Sequence, residues 1–175
     1  LVVLAGVPSD RGAAALAALT AGRNVLTAKP GVTTHAELDA IDAAVTASAP
    51  RWWVFFSERL TNRAVTEAVR LVSDGAIGEL VAVAGAAPHT LNAAARPAWF
   101  FDRRRNGGIL VDLCAHQADQ LLTLAGPGTT EVLAATVANV ATADHPDLQD
   151  LGRMSLRHTT DDGMVVLSDH HVDWL

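Results

Sequence analysis

The first 57 residues alternate between short apolar runs and helical stretches, and this alternation constrains the fold most strongly. The apolar run 1–8 ends in turn residues and predicts a strand buried on both faces of a parallel sheet. Ser9-Asp10 then predicts an N-cap for the alanine-rich segment 13–21, which Gly22 ends. Residues 24–28 predict a second strand, so the region begins with a βαβ unit.

The same alternation continues to residue 57. Thr34 and Glu37 have the spacing of a capping box, and the helical pattern after them ends at Pro50. Residues 51–56 predict a third strand. We therefore predict that residues 1–57 are the C-terminal half of a Rossmann-type parallel sheet, a partial dinucleotide-binding domain.

Residues 58–175 have a different pattern, with fewer helices and long runs of strand. We predict an α+β domain with a mostly antiparallel open sheet, one face toward water, a partial substrate and oligomerisation domain. Asp162-Gly163 predicts the hairpin between the last two strands. The predicted elements are helix 61–75, strand 79–85, loop 88–106, a helix after Gly107-Gly108, and strands 132–140, 151–158 and 164–172.

Both ends of the chain lie in strand-like sequence. The chain starts at Leu1 without a polar lead-in and stops at Leu175 without a turn or cap. We therefore expect a chain that is truncated at both ends, and we expect the 175 residues alone to be inactive.

Charge and cysteine content narrow the classes of partner. The formal charge of −6, from 19 acids and 13 bases, disfavours nucleic acid and membrane surfaces. Cys114 is the single cysteine, which excludes an internal disulfide and suits the cytoplasm. No apolar stretch approaches the roughly 20 residues of a membrane span.

Two places could carry chemistry. Lys29 follows a parallel strand, where open α/β sheets bind ligands, and a solvated surface lysine is the alternative. Asp112 and His116 are four apart on one predicted helix, so the carboxylate can orient the imidazole as a general base. An ordinary helix pair or a core histidine is the alternative that spacing alone favours.

Other chemistry-bearing residues have simpler interpretations. His170 and His171 are adjacent on a strand and point to opposite faces, and no metal site is predicted. Cys114 is expected to be a buried, inert thiol. The run 103–105 of three arginines could hold an anionic substrate, but a solvated edge is the commoner outcome.

The chain resembles the Gfo/Idh/MocA oxidoreductases, the family of glucose-fructose oxidoreductase and inositol dehydrogenase. The resemblance covers nearly the whole chain and depends on the order of several weak motifs. These are Leu1 to Pro30, Phe55-Phe56-Ser57-Glu58-Arg59, Gly75-Ala76-Ile77-Gly78, Arg96-Pro97-x-Trp99-Phe100-Phe101 and Gly107-Gly108-x-x-x-Asp112-x-x-x-His116-x-x-Asp119.

The resemblance implies an enzyme that uses NAD or NADP on a sugar, a polyol or a related small hydroxyl or carbonyl compound. It implies that Lys29 holds the reacting oxygen, that His116 is the acid/base, and that Asp112 helps orient the substrate. Trp99 would form part of the substrate wall. The implied cofactor-binding residues are Val7, Pro8, Ser9, Ala28, Lys29, Pro30 and Arg59.

Two departures from the family pattern affect the cofactor side. Ala28 replaces the acidic residue usual before Lys-Pro, and the glycine-rich phosphate turn G-x-G-x-x-G is absent.

Two alternative functions stay open. One is a non-redox sugar isomerase, lyase or NAD-dependent glycosidase, and the other is an inactive fragment that serves binding or assembly. The resemblance also implies a homo-oligomer that forms through the C-terminal sheet.

Overall fold

The computed structural model describes residues 1–175 and contains two sheets. A three-stranded parallel sheet has the order β1-β2-β3, and a four-stranded sheet has the order β4-β7-β6-β5. This confirms the predicted α/β class. The strands are β1 (Val2–Leu4), β2 (Val25–Ala28), β3 (Trp52–Phe55), β4 (Ala82–Pro88), β5 (Gly128–Ala138), β6 (Leu151–Thr160) and β7 (Val165–Asp173). The α-helices are α1 (Pro8–Thr20), α2 (His35–Ala47), α3 (Ser57–Thr61), α4 (Arg63–Ser73), α5 (Arg103–Asn106) and α6 (Ala115–Ala125).

Helices α1 and α2 pack on one face of the parallel sheet. Ala15 and Leu19 of α1, Val25 of β2 and Ile41 of α2 form its buried core. The other face is open, and Val3 is 65% exposed. The prediction of a first strand buried on both faces is therefore wrong, because both helices cover the same side.

The start of α1 also differs from the prediction. The first strand ends at Leu4, and Pro8 already occupies the first turn of α1 with Val7 as its N-cap. Ser9-Asp10 is therefore inside the helix and does not cap it, because proline is favoured at the first helical position. The capping box of Thr34 and Glu37 is present at the start of α2, as predicted.

The second sheet is antiparallel except at one edge. Strand β6 pairs antiparallel with β5 and β7, and β4 pairs parallel with β7. The predicted hairpin joins β6 to β7, with Gly163 at a φ of +90°. Strand β4 lies three residues later than predicted, because its ladder with β7 runs from Ala82 to Pro88.

Helix α6 covers one face of this sheet, where Leu121 packs on Leu156 of β6 and Val166 of β7. The opposite face exposes Arg153 and Arg157, so one face meets water as predicted. None of the helices combines the length and the apolar character that crossing a bilayer requires.

Candidate functional site

The parallel strands bring three loops to one edge of the first sheet. Pro8 begins α1 after β1, the loop after β2 carries Lys29 and Pro30, and the segment after β3 carries Glu58. The carboxyl ends of parallel strands lie at the same edge, which is where open α/β sheets bind ligands. Lys29 is the only lysine of the chain, since the other 12 basic residues are arginines.

Lys29, which follows β2 of the first sheet, forms an ion pair with Asp112, which precedes α6 on the second sheet. Its Nζ donates to Asp112 Oδ1 at 2.5 Å and to the Asp112 carbonyl oxygen at 3.0 Å. Both side chains are mostly buried, with 24% and 16% of their surface exposed. The sequence predicted that the side chains of Asp112 and His116 share one helix face and can hydrogen-bond or point into one cleft. In the structure, the Asp112 carboxylate accepts its hydrogen bond from Lys29. The segment Leu110–Cys114 is a π-helical turn, which changes the angular spacing expected from one continuous α-helix.

A buried arginine holds the Lys29 loop in place. Arg11 of α1 is 8% exposed, and its Nε donates to the Gly6 carbonyl at 2.8 Å. Its Nη1 lies 3.0, 2.7 and 3.0 Å from the carbonyl oxygens of Ala28, Lys29 and Pro30. Burial lowers the pKa of Arg11, and the nearby Asp112 charge opposes this shift. Sequence reasoning missed Arg11, whose only signal was a charged residue in an otherwise alanine-rich helix.

His116 is buried near the segment after β3. It is 3% exposed, and its Nε2 lies 3.8 Å from Glu58 Oε1. Its Nδ1 is buried without a hydrogen-bond partner, which is uncommon for a polar atom. Burial lowers the pKa of His116, whereas the charges of Glu58 and Asp112 raise it and that of Lys29 lowers it. The net lowering favours a neutral imidazole at neutral pH.

Glu58 was quoted in the Phe55 to Arg59 motif, but sequence reasoning gave it no role. Its position directly after a parallel strand was the signal that could have identified it.

Arg59 forms a two-pronged ion pair with Asp119 of α6. The Nε to Oδ2 distance is 2.5 Å, and the Nη2 to Oδ1 distance is 3.1 Å. The hydrogen bond that Arg59 donates to the Asp119 carboxylate raises the pKa of Arg59. This pair fixes α3 against α6, which carries His116 in its first turn.

A cavity of about 210 Å³ lies beside the Lys29–Asp112 pair. Its volume is below the roughly 300–1,000 Å³ of typical small-molecule pockets, so it has room for one ring or one short polyol. A cavity of about 630 Å³ lies between the loop after α4 and the β6–β7 hairpin, and it contains none of the predicted residues. The lining of the smaller cavity is Pro8, Arg11, Lys29, Pro30, Arg96, Trp99, Phe100, Asn106, Asp112 and Trp174.

The family model for the GFO/IDH/MocA C-terminal domain matches residues 65–171. The chain belongs to the Gfo/Idh/MocA family. No curated protein matches it.

Solved structures of Gfo/Idh/MocA-like architecture superpose on nearly the whole chain. An oxidoreductase from Erwinia carotovora atroseptica is 35% identical with a TM-score of 0.91, over 99% of this chain and 50% of the other. The WlbA dehydrogenase from Bordetella pertussis, in complex with NADH and UDP-GlcNAcA, is 25% identical with a TM-score of 0.78, over 99% and 48%. Levoglucosan dehydrogenase in complex with NADH is 23% identical with a TM-score of 0.81, over 98% and 47%. The chain thus spans about half the length of the structures it matches.

Within this Gfo/Idh/MocA chain, the predicted site residues fall into two groups. Those around the 210 Å³ cavity are Pro8, Lys29, Pro30, Trp99 and Asp112. Those outside its lining are Val7, Ser9, Ala28, Arg59 and His116.

Three residues of the second group, Val7, Ser9 and Ala28, are direct sequence neighbours of lining residues. Val7 caps α1, and Ala28 ends β2. The Ser9 hydroxyl donates to Asp10 at 2.9 Å on the surface.

Proposed function

We propose that the protein is an NAD- or NADP-dependent oxidoreductase that transfers a hydride between nicotinamide and a sugar, a polyol or a related small hydroxyl or carbonyl compound. The observation that carries this proposal is the ion pair between Lys29 and Asp112 at a cavity beside the carboxyl edge of a parallel sheet. Family membership and the likeness to the NADH-bound WlbA dehydrogenase support it.

The residues at this edge fit a nicotinamide. Val7 and Pro8 offer apolar surface at the end of β1, and the Lys29 ammonium offers charge at the end of β2. The unpartnered Nδ1 of buried His116 is a further polar atom that a bound group can satisfy. Bound nicotinamide supplies a hydride acceptor or donor, and the protein supplies position and proton transfer.

The protein residues divide the remaining work. The Lys29 ammonium can donate a hydrogen bond to the reacting oxygen and stabilise its negative charge, in exchange for part of its contact with Asp112. His116 is neutral because burial lowers its pKa, so it has a lone pair to accept the hydroxyl proton as the hydride leaves the carbon. The Glu58 carboxylate then stabilises the imidazolium that forms. Arg11 is a positioning residue, since it contacts the backbone of the Lys29 loop.

Substitution of Lys29 and His116 tests this proposal in the protein expressed from its natural gene. Lys29→Ala and His116→Ala are each expected to lower kcat by about 100- to 10,000-fold, the contribution typical of a positioned acid or base. The assay follows nicotinamide absorbance across a panel of sugars and polyols, with melting curves to confirm folding. Arg23→Ala and His35→Ala are the matched controls, because both of these residues are exposed.

Wild-type turnover in both site variants would refute the assignment. Product formation without any change in nicotinamide absorbance would favour a non-redox isomerase, lyase or glycosidase instead.

We also propose that the open face of the second sheet forms a homo-oligomer contact. Val165 and Leu167 are 50% and 46% exposed on a face that otherwise carries Arg153 and Arg157. Exposed apolar side chains on a wet sheet face are typical of such contacts. The single cysteine supports a reducing compartment, the cytoplasm.

A further inference from the structure

The cavity beside Lys29 is lined by more positive than negative charge. Three cations, Arg11, Lys29 and Arg96, face a single acid, Asp112. Lys29 and Asp112 neutralise each other across 2.5 Å. Arg11 and Arg96 form no ion pair with any carboxylate, so the lining keeps two uncompensated positive charges.

The guanidinium group of Arg96 is held by the protein, and its two terminal amino groups stay free. Its Nε donates to the Leu91 carbonyl at 2.9 Å, and its guanidinium carbon lies 4.5 Å from the Phe100 ring centroid and 4.9 Å from that of Trp174. Neither of its terminal amino groups has a hydrogen-bond partner in the protein. A guanidinium fixed in this way presents a planar fork that matches a carboxylate in two parallel hydrogen bonds.

Two other polar side chains of the lining, Asn106 and Arg11, are largely engaged with the backbone. The Asn106 amide donates to the Phe100 carbonyl at 2.6 Å, and its oxygen accepts from the Gly108 amide at 2.5 Å. Arg11 uses its Nε and Nη1 on backbone carbonyls, which leaves Nη2. Arg96 therefore supplies most of the free charged donors of the cavity, and a guanidinium forms its strongest hydrogen bonds with an anionic acceptor.

We propose that the cavity binds a hydroxy acid, namely a sugar or polyol that carries a carboxylate. Arg96 holds the carboxylate, and Lys29 meets the hydroxyl that reacts, so the second half of this assignment rests on the proposed function. The run 103–105 that the sequence offered as an anion grip is exposed, and Arg104 is 88% exposed. None of its three arginines lines the cavity.

Direct binding measurements separate this inference from the reaction itself. Trp99 and Trp174 line the cavity, so tryptophan fluorescence and titration calorimetry report occupancy without turnover. The probes are gluconate against glucitol and galactonate against galactitol, with glucitol 6-phosphate as the phosphate arm. In each pair, the acid is expected to bind about 10- to 100-fold more tightly than the neutral polyol, the worth of hydrogen bonds between charged groups.

Variants assign that preference to Arg96. Arg96→Gln is expected to reduce the ratio of acid to polyol affinity to about 1. Arg96→Lys keeps the charge without the fork and is expected to retain only part of the ratio. Arg104→Gln, a nearby exposed arginine, is expected to leave the ratio unchanged. The wild-type ratios test the proposal even if a variant fails to fold.

Each result has one meaning. Acid and polyol affinities within about threefold of each other in both wild-type pairs, or a ratio that survives Arg96→Gln, would overturn the inference. Tighter binding of the phosphate ester than of gluconate would overturn the carboxylate assignment. Arg96-dependent binding of the acids without nicotinamide turnover would support the inference while the proposed function fails. Oxidation of neutral polyols without tighter binding of the acids would support the proposed function and overturn the inference.

Discussion

Replacing Asp150 by asparagine is predicted to lower the free energy of unfolding by about 2.5–6 kcal/mol. Asp150 is fully buried, and its carboxylate accepts from the backbone amides of Val140, Ala141 and Thr142 at 2.7, 2.8 and 2.9 Å. The Thr142 hydroxyl donates a fourth hydrogen bond at 2.9 Å. The carboxylate thus holds the loop after β5 through four donors.

The magnitude follows from the geometry of these four bonds. Asparagine keeps one acceptor oxygen, so its amide group must face either the Val140 amide or the donors of Ala141 and Thr142. The better orientation loses one charge-assisted bond, worth about 1.5–3 kcal/mol, and leaves a buried donor unsatisfied, which costs about 1–3 kcal/mol. For a chain of 175 residues, the combined loss corresponds to a fall in Tm of roughly 5–24 °C.

The effect should depend on pH in one direction. Burial raises the pKa of Asp150, but the hydrogen bonds from Val140, Ala141 and Thr142 lower it, and the net shift is downward. A carboxyl group with a lowered folded-state pKa stabilises the fold fully above its unfolded pKa of about 3.9 and loses that contribution as pH falls through the folded value. The difference between wild type and Asp150→Asn should therefore shrink below about pH 4.

The assay is thermal unfolding followed by circular dichroism at pH 7 and at steps down to pH 3. Asp147→Asn, at an exposed aspartate in the same loop, is the matched control and should melt with the wild type. A Tm for Asp150→Asn within about 1 °C of wild type at pH 7 would refute the reasoning.

Two further predictions concern a thiol and a sheet face. Burial raises the pKa of Cys114 to about 11, so only roughly one thousandth of the Cys114 side chains carry a thiolate at pH 8. Ellman's reagent should therefore react with Cys114 at least about 100-fold more slowly than with glutathione until the protein unfolds. A rate comparable to that of glutathione would contradict the burial of Cys114. Leu167→Asp should shift the protein to a smaller species in light scattering if the open sheet face forms the oligomer contact, whereas Thr66→Asp on α4 should not. An unchanged mass for Leu167→Asp would exclude that face.

Local patterns predicted the elements of this fold well. The capping box at Thr34, the stop at Gly22 and the hairpin at Gly163 each depend on neighbouring residues, and all three are present. The errors arose where contacts with distant parts of the chain determine burial or the bounds of a strand. The exposure of Val3 depends on which face two helices choose, and the start of β4 depends on its ladder with β7.

The candidate site shows the same division. The motifs at Lys29 and Asp112 could be quoted from the sequence, but their ion pair joins residues 83 positions apart. Glu58, Arg11 and Arg96 received no role, because a charged residue in a helix or loop carries no local sign of what it will contact. The fold determines which residues contact each of these three side chains, and those contacts determine its role.

The contacts of Arg11 have a consequence for how this site can change over time. The guanidinium holds the main chain at Gly6 and at residues 28–30 through carbonyl groups, which every amino acid possesses. These hydrogen bonds therefore do not involve the side chain at position 28, where this chain has alanine. Substitutions there can alter the chemical surroundings of Lys29 while the loop stays in place, which makes position 28 a natural starting point for engineering or drift in specificity.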